Sequence, residues 1–286
     1  MWGCKAVHKA SNANLVFDMQ AHRGGRGLMP ENTVAAMFDA IDRGVTTLEM
    51  DLQLTKDSQV IVSHDPTFNS YFATAPNGDT LTPSQAKKII LHQLSYDSII
   101  KYDVGLKRNP QFPRQHKMAA AKPLLSALLD STEKYARSKG VKIRYNIEIK
   151  SNPGADGRFY PSLENFVYLA MSVIQSKNIA QRMTIQSFDG RALKLLHQKY
   201  PDYTLSFLID AKEKRSVGEL ITSLGFQPEI LSPNSQIVTK TLIKDCHKRD
   251  MKIIPWTVND LGEMKRLKQM GVDGIITDYP DLFSQL

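Results

Sequence analysis

The chain has 286 residues, 37 Lys and Arg against 29 Asp and Glu, a net charge of +8 and 42% hydrophobic residues. These fractions exclude a disordered or fibrous chain, and two cysteines, Cys4 and Cys246, are too few for a disulfide-stapled scaffold or a cysteine-built zinc cluster. One α/β barrel of roughly 250 residues accounts for the length as well as two domains would.

Residues 1–16 read as an N-terminal extension. Met1-Trp2-Gly3-Cys4-Lys5 sets a small residue before a cysteine, as at the tail of a bacterial lipoprotein signal, although the apolar stretch that should precede it is missing. The expectation is a periplasmic or secreted location, lipid-anchored if a signal was trimmed there. No stretch approaches the ~20 apolar residues of a membrane span. From residue 17 onward, short apolar runs alternate with helical patterns. Strands are expected at 17–22, 46–52, 59–64, 142–149, 183–187, 204–208, 229–232, 252–258 and 274–277. Helices are expected at 30–43, with Pro30 at the start and Gly44 past the end, and at 123–139, 161–178, 189–199, 212–225, 237–249 and 259–270. Such alternation implies parallel βαβ units.

One joint breaks the alternation. Only Lys56, Asp57 and their neighbours separate Leu54 from Gln59, too little for a crossover helix, so the joint is a hairpin. Counting the hairpin as one arm of the second strand leaves eight parallel strands, the number of a closed (β/α)8 TIM barrel. Residues 66–121, rich in Pro and Asn-Gly, do not fit the repeat and read as a cap inserted at the top of a single barrel domain, 17–286.

With Lys56 and Asp57 as a two-residue turn, Asp51 faces Val62 and Glu49 faces His64. Alternation puts Glu49 and Asp51 on one face, and direct pairing adds His64 to it. This depends on register, since a one-residue slip moves His64 to the other side. His22-Arg23 closes the first strand, and Asn146, Glu148 and Lys150 alternate at the end of the strand at 142–149. Polar residues at the C-terminal ends of barrel strands read as a catalytic site. Three carboxylates without a thiolate suit a hard divalent cation, Mg2+ or Ca2+, and the nearby histidines leave zinc open. Arg23 can grip a phosphate with its planar fork, Lys150 adds positive charge, and two imidazoles can share acid and base work near neutral pH. Together these describe metal-assisted phosphoryl chemistry.

The ordered segments His22-Arg23-Gly24, Pro30-Glu31-Asn32-Thr33, Glu49-x-Asp51, Thr55-Lys56-Asp57, His64-Asp65, Glu148-Ile149-Lys150, Gln186-Ser187-Phe188, Trp256-Thr257-Val258-Asn259 and 274–280 resemble the signature of the glycerophosphodiester phosphodiesterases. The resemblance covers about 17–282. It implies His22 and His64 as the catalytic acid–base pair and Glu49, Asp51 and Glu148 as ligands of one divalent cation. It also implies Arg23 and Lys150 beside the phosphate, and Trp256 against the glycerol part. The implied reaction is hydrolysis of glycerophosphodiesters such as glycerophosphocholine to sn-glycerol 3-phosphate and an alcohol, so the partner is a small phosphodiester. Arg26 departs from the usual pattern and reads as a solvent-facing loop residue. Glu31 reads as a helix-dipole residue, Asn32 as support for the site, Gln186 and Ser187 as strand-end residues lining the pocket, and Asp278 as a cap of the helical turn starting near Pro280 or Asp281. His92, His116, His197 and His247 read as surface residues, as does His8.

Two other readings compete. A lysophospholipid or sphingolipid phosphodiesterase (phospholipase D-like) would need an apolar channel, which Phe68, Tyr71, Phe72 and 89–94 could supply. A binding protein that only holds a phosphodiester would have lost a histidine or a carboxylate, and none is lost. Nucleic acid is disfavoured as a partner, because the basic stretches at 211–215 and 247–249 are short and have acids in or beside them.

Overall fold

The computed structural model describes residues 17–286. The reading of Cys4 and its neighbours, and of His8, lies outside them. Eight parallel strands run β1 (Asp18–Ala21), β2 (Thr47–Leu54), β4 (Arg144–Ile149), β5 (Met183–Ser187), β6 (Thr204–Ile209), β7 (Ile230–Pro233), β8 (Lys252–Ile253) and β9 (Gly274–Thr277). They order as β8-β7-β6-β5-β4-β2-β1-β9, with the short β3 (Val60–Val62) antiparallel on β2. Three backbone bonds join the two ends of this order: Asp273 N to Ile253 O, Ile276 N to Pro255 O and Val258 N to Ile276 O, each 3.0 Å. The result is the expected (β/α)8 barrel.

Between the strands lie α1 (Val34–Asp42), α4 (Leu125–Ser138), α5 (Leu163–Gln175), α6 (Gly190–Lys199), α7 (Val217–Leu224), α8 (Lys240–His247) and α9 (Leu261–Met270). The excursion after β3 carries the shorter α2 (Pro83–Lys88) and α3 (Tyr96–Ile99). Their chemistry is local. Ser216 and Glu219 form a capping box at the start of α7, and Gly225 ends that helix with φ 74°. α4 buries Leu125, Leu128, Leu129, Thr132 and Ala136, one stripe at helical spacing.

Three boundaries differ from the sequence reading. α1 starts at Val34, not Pro30, because Thr33 is the N-cap and accepts from Ala36 N. β8 is only two residues long, although Ile254 N and Trp256 N still donate to Leu231 O and Pro233 O, each at 3.0 Å; Pro255 between them has no N–H to offer the other neighbour. The hairpin pairs Leu52 with Val62 and Leu54 with Val60, one residue away from the expected register. Its turn has three residues, Lys56 to Ser58, and Ser58 takes φ 60°. This is the three-residue loop that ends in a left-handed residue.

β2 is buried along its whole length. Leu48, Met50, Leu52 and Leu54 join the main apolar core between sheet and helices. Thr47, Glu49, Asp51 and Gln53 alternate with them and face the barrel interior. Each fully buried aliphatic side chain of the outer layer contributes about 1.5–3 kcal/mol. The interior is divided. Gln20, Glu49, Asn146 and Gln186 make its polar side, while Ile230, Ile254 and Ile276 pack with Trp256 on the other. The excursion has its own cluster, in which Phe68, Phe72, Leu81, Leu91, Ile99 and Val104 pack around Ile61. Phe68, Phe72 and Leu91 are therefore packed in that core, while Tyr71 is exposed.

Candidate active site

The strand register builds the acidic cluster. Parallel pairing sets Asp51 beside Glu148 and Glu49 beside Asn146. Carboxylate oxygens of Glu49, Asp51 and Glu148 lie within 4.8 Å of one another, and all three residues are buried. Three such charges repel, and removing them from water is costly. Burial raises the Glu49 carboxyl well above its usual value, with Asp51 adding to the rise. Burial also raises Glu148, against the pull of Lys150. Asp51 goes the other way: burial opposes its charge, but Arg23, His64 and Lys150 more than offset this and hold it below the ordinary carboxylate range.

The neighbours of the cluster are fixed. Gln186 Nε2 donates to Glu49 Oε1 at 2.8 Å and Arg23 N to Glu49 Oε2 at 2.7 Å. Asn32 Nδ2 donates to Asp51 Oδ2 at 2.9 Å, which is the supporting role expected of Asn32. Lys150 Nζ lies 3.1 Å from Glu148 Oε1 and 3.8 Å from Asp51 Oδ1. Asp51 Oδ1 itself is buried and has no hydrogen-bond partner among the described residues. An orphaned carboxylate oxygen among three converging oxygen donors fits a hard divalent cation.

Arg23 is the second residue after β1 and takes φ 52°, a left-handed conformation that costs about 1–2 kcal/mol outside glycine. That backbone turn aims its N–H at Glu49 while the guanidinium reaches Glu31 at 3.1 Å and Asp51 at 3.2 Å. Burial opposes the Arg23 charge, but Glu31, Asp51 and Glu49 outweigh it and keep the group cationic above its ordinary range. The next residue must be glycine: a Cβ on Gly24 would stand 2.7 Å from Ala36 Cβ.

Two histidines flank the cluster in the same way. His22 Nδ1 bonds Asp278 Oδ1 at 2.6 Å and His64 Nδ1 bonds Asp65 Oδ1 at 2.7 Å. A carboxylate on Nδ1 fixes the tautomer and leaves Nε2 for the other side. His22, His64, Arg23, Glu49, Glu148, Lys150 and Trp256 all line one cavity of about 190 Å³. Asp51 is not in its lining and sits beside it, tied to Arg23 and Lys150. Trp256 Nε1 donates to Ser232 O at 2.9 Å, and the indole meets Phe188 edge-on at 5.3 Å between centroids.

The structure corrects several sequence expectations. His64 does not reach the cluster by facing Glu49 across the hairpin. Ser63 N bonds Asp51 O, β3 has ended by then, and the following loop swings His64 to the cavity. Arg26 is not solvent-facing: its Nε donates to Asp278 Oδ1 at 2.7 Å, its guanidinium lies 4.8 Å from the Phe112 ring centre, and it lines the cavity. Asp278 is no turn cap but joins His22, Arg26 and Asn259. Glu31 stands before α1 and pairs with Arg23 and Arg26. Gln186 lines the cavity but Ser187 does not, its hydroxyl donating to Ile149 O. His247 is exposed, as expected, and its Nε2 lies 2.9 Å from Asp273 Oδ2. Asp278 and Arg26 carried no sequence signal of partnership, because the partners lie more than 250 residues apart.

Residues 22–282 match the model of the Glycerophosphoryl diester phosphodiesterase family. A glycerophosphodiester phosphodiesterase of Caldanaerobacter subterraneus subsp. tengcongensis is 29% identical over 93% of this chain and 96% of its own. Among solved structures, a candidate glycerophosphoryl diester phosphodiesterase from Silicibacter pomeroyi superposes with a TM-score of 0.85 at 26% identity, covering 94% of this chain and 92% of that one. An Oleispira antarctica phosphodiesterase, solved in complex with the product sn-glycerol-3-phosphate, shares the fold at a TM-score of 0.73 and 19% identity, over 94% of this chain and 95% of that one.

Proposed function

Because the chain belongs to the glycerophosphoryl diester phosphodiesterase family, we propose that it hydrolyses glycerophosphodiesters such as glycerophosphocholine to sn-glycerol 3-phosphate and an alcohol. The observation that carries this reading is the buried cluster of Glu49, Asp51 and Glu148 set between two histidine–aspartate pairs on one small cavity. Glu49, Asp51 and Glu148 would hold one divalent cation, Mg2+ or Ca2+. When bound, it supplies charge neutralisation at the phosphate oxygens.

The remaining steps fall to side chains of this chain. Arg23 and Lys150 bind the phosphate oxygens, with Glu31 and Glu148 holding their cationic groups in place. Trp256 and Phe188 offer apolar walls to the glycerol carbons. One imidazole Nε2 gives a proton to the leaving alkoxide and the other takes one from the attacking oxygen. Burial and Asp278 act on His22 in opposite senses and burial wins, taking the ring down to about 4, so it is neutral and able to accept a proton at pH 7.

The test is a substrate panel with released choline as the common readout, and glycerol 3-phosphate or lysophosphatidic acid as the second product. Glycerophosphocholine should turn over with Mg2+ or Ca2+ and stop with EDTA. Turnover untouched by EDTA would remove the cation from the reading. A preference for lysophosphatidylcholine over glycerophosphocholine would replace the substrate by a lipid.

A further inference from the structure

The excursion after β3 leaves and rejoins the barrel at adjacent points. Val62 N donates to Pro123 O at 2.9 Å, and Ile61 bridges to Leu124. Lys122 stands at this joint with only 6% of its surface exposed. Buried lysines are uncommon, and an ammonium away from water is costly unless something offsets it. Here Nζ donates to Ser63 Oγ at 2.7 Å and lies 5.5 Å from the ring centre of Phe68, inside the core of the excursion. Glu31, Asp65 and Asp51 attract it from the site side.

The bond to Ser63 leads to a histidine. Ser63 Oγ donates to Asp65 O at 3.0 Å, and Asp65 Oδ1 accepts from His64 Nδ1 at 2.7 Å. Because β3 has ended, no strand ladder holds His64. Its backbone is fixed instead by Ser63 N on Asp51 O, by Gln53 Nε2 on His64 O at 3.0 Å, and by the Lys122–Ser63–Asp65 chain. A methionine would fill the space of Lys122 and could not make that chain.

We propose that Lys122 is a positioning residue for the reaction: its ammonium latches the Ser63–Asp65 turn and so ties the aim of His64 to the docking of the excursion on the barrel. The proposal rests on His64 being a proton-transfer group. Misplacing such a group costs up to ~10²-fold in rate. Lys122→Met is therefore expected to lower kcat by about 10- to 100-fold with KM within about twofold, while Tm and the affinity for Mg2+ stay near those of the unchanged protein. Ser63→Ala, which keeps the lysine, should lower kcat in the same direction. The double variant should fall no further than Lys122→Met alone. Against a His64→Gln background, Lys122→Met should not change the residual rate.

An unchanged kcat with a lowered Tm in Lys122→Met would reduce the residue to packing and overturn the proposal. So would a kcat loss that persists undiminished on the His64→Gln background. If Lys122→Met does not fold, Ser63→Ala with wild-type kcat overturns it equally. Wild-type turnover in His64→Gln would instead overturn the reading of His64. An inactive His64→Gln beside a fully active Lys122→Met would overturn the role of Lys122 alone.

Discussion

The two histidines are chemically alike and structurally unlike. His22 follows a barrel strand directly, and its aspartate, Asp278, comes from the end of the adjacent strand β9. That aspartate is held in turn by Arg26 and Asn259, and the His22 side chain is 12% exposed. His64 stands on the loop leaving β3, its aspartate is the next residue, Asn69 is that aspartate's further side-chain partner, and its side chain is 30% exposed. One imidazole is set by the barrel and the other by the loop that departs from it. The same hydrogen bond to Nδ1 can thus come from scaffold or from insertion, with different rigidity behind it.

The largest effects should not separate the two sides. His22→Ala and His64→Ala each remove a proton-transfer group and should lower kcat by ~10²–10⁴ with the fold retained, measured by turnover and far-ultraviolet circular dichroism. Near-normal turnover in either would remove that histidine from the reaction.

Acid should separate them next. Burial lowers His22 to about 4, with Asp278 opposing. The unfolded chain takes this proton near pH 6.5, and the folded chain resists until about pH 4. Folding is therefore weakened as pH falls through that window, by ~3 kcal/mol at its lower end. Urea unfolding at pH 7 and pH 4 should show the unchanged protein losing about that much more stability than His22→Gln. Equal losses would mean that the ring is solvated.

The orienting carboxylates should differ in the same sense. Asp278→Asn is expected to lower kcat by ~10²-fold and Asp65→Asn by ~10-fold, since the more exposed imidazole can be turned by water. A larger loss at Asp65 would reverse the comparison. Arg26→Gln should be milder, under about tenfold in kcat/KM, because Asn259 still holds Asp278.

Much of the site could be read from spacing. Glu49 and Asp51 share a face because strands have period two, and Glu148 falls beside Asp51 because parallel pairing places it there. His64 arrived at the expected cavity by a different route. The two-residue turn assumed for the hairpin is a three-residue turn, since Ser58 accepts a left-handed conformation that no Gly or Asn announces. The loop then restores what the register removed. Asp278, Arg26 and Lys122 were not legible at all. The partners lie far along the chain: Asp278 meets His22 and Arg26 only when the last strand closes the barrel, and Lys122 meets Ser63 only when the excursion returns to its starting point.

The adjacency of residues 62 and 123 has a consequence for chain entropy. A segment of about sixty residues whose ends are already hydrogen-bonded adds loop-closure entropy only as the logarithm of its length. Lengthening or shortening it barely alters the stability of the barrel, so long as the two ends meet. Away from its two ends, where Ser63, His64, Asp65 and Lys122 stand, the segment can vary in length without disturbing the strands that carry Glu49, Asp51 and Glu148. The length of the excursion and the way the acids are held can therefore change independently.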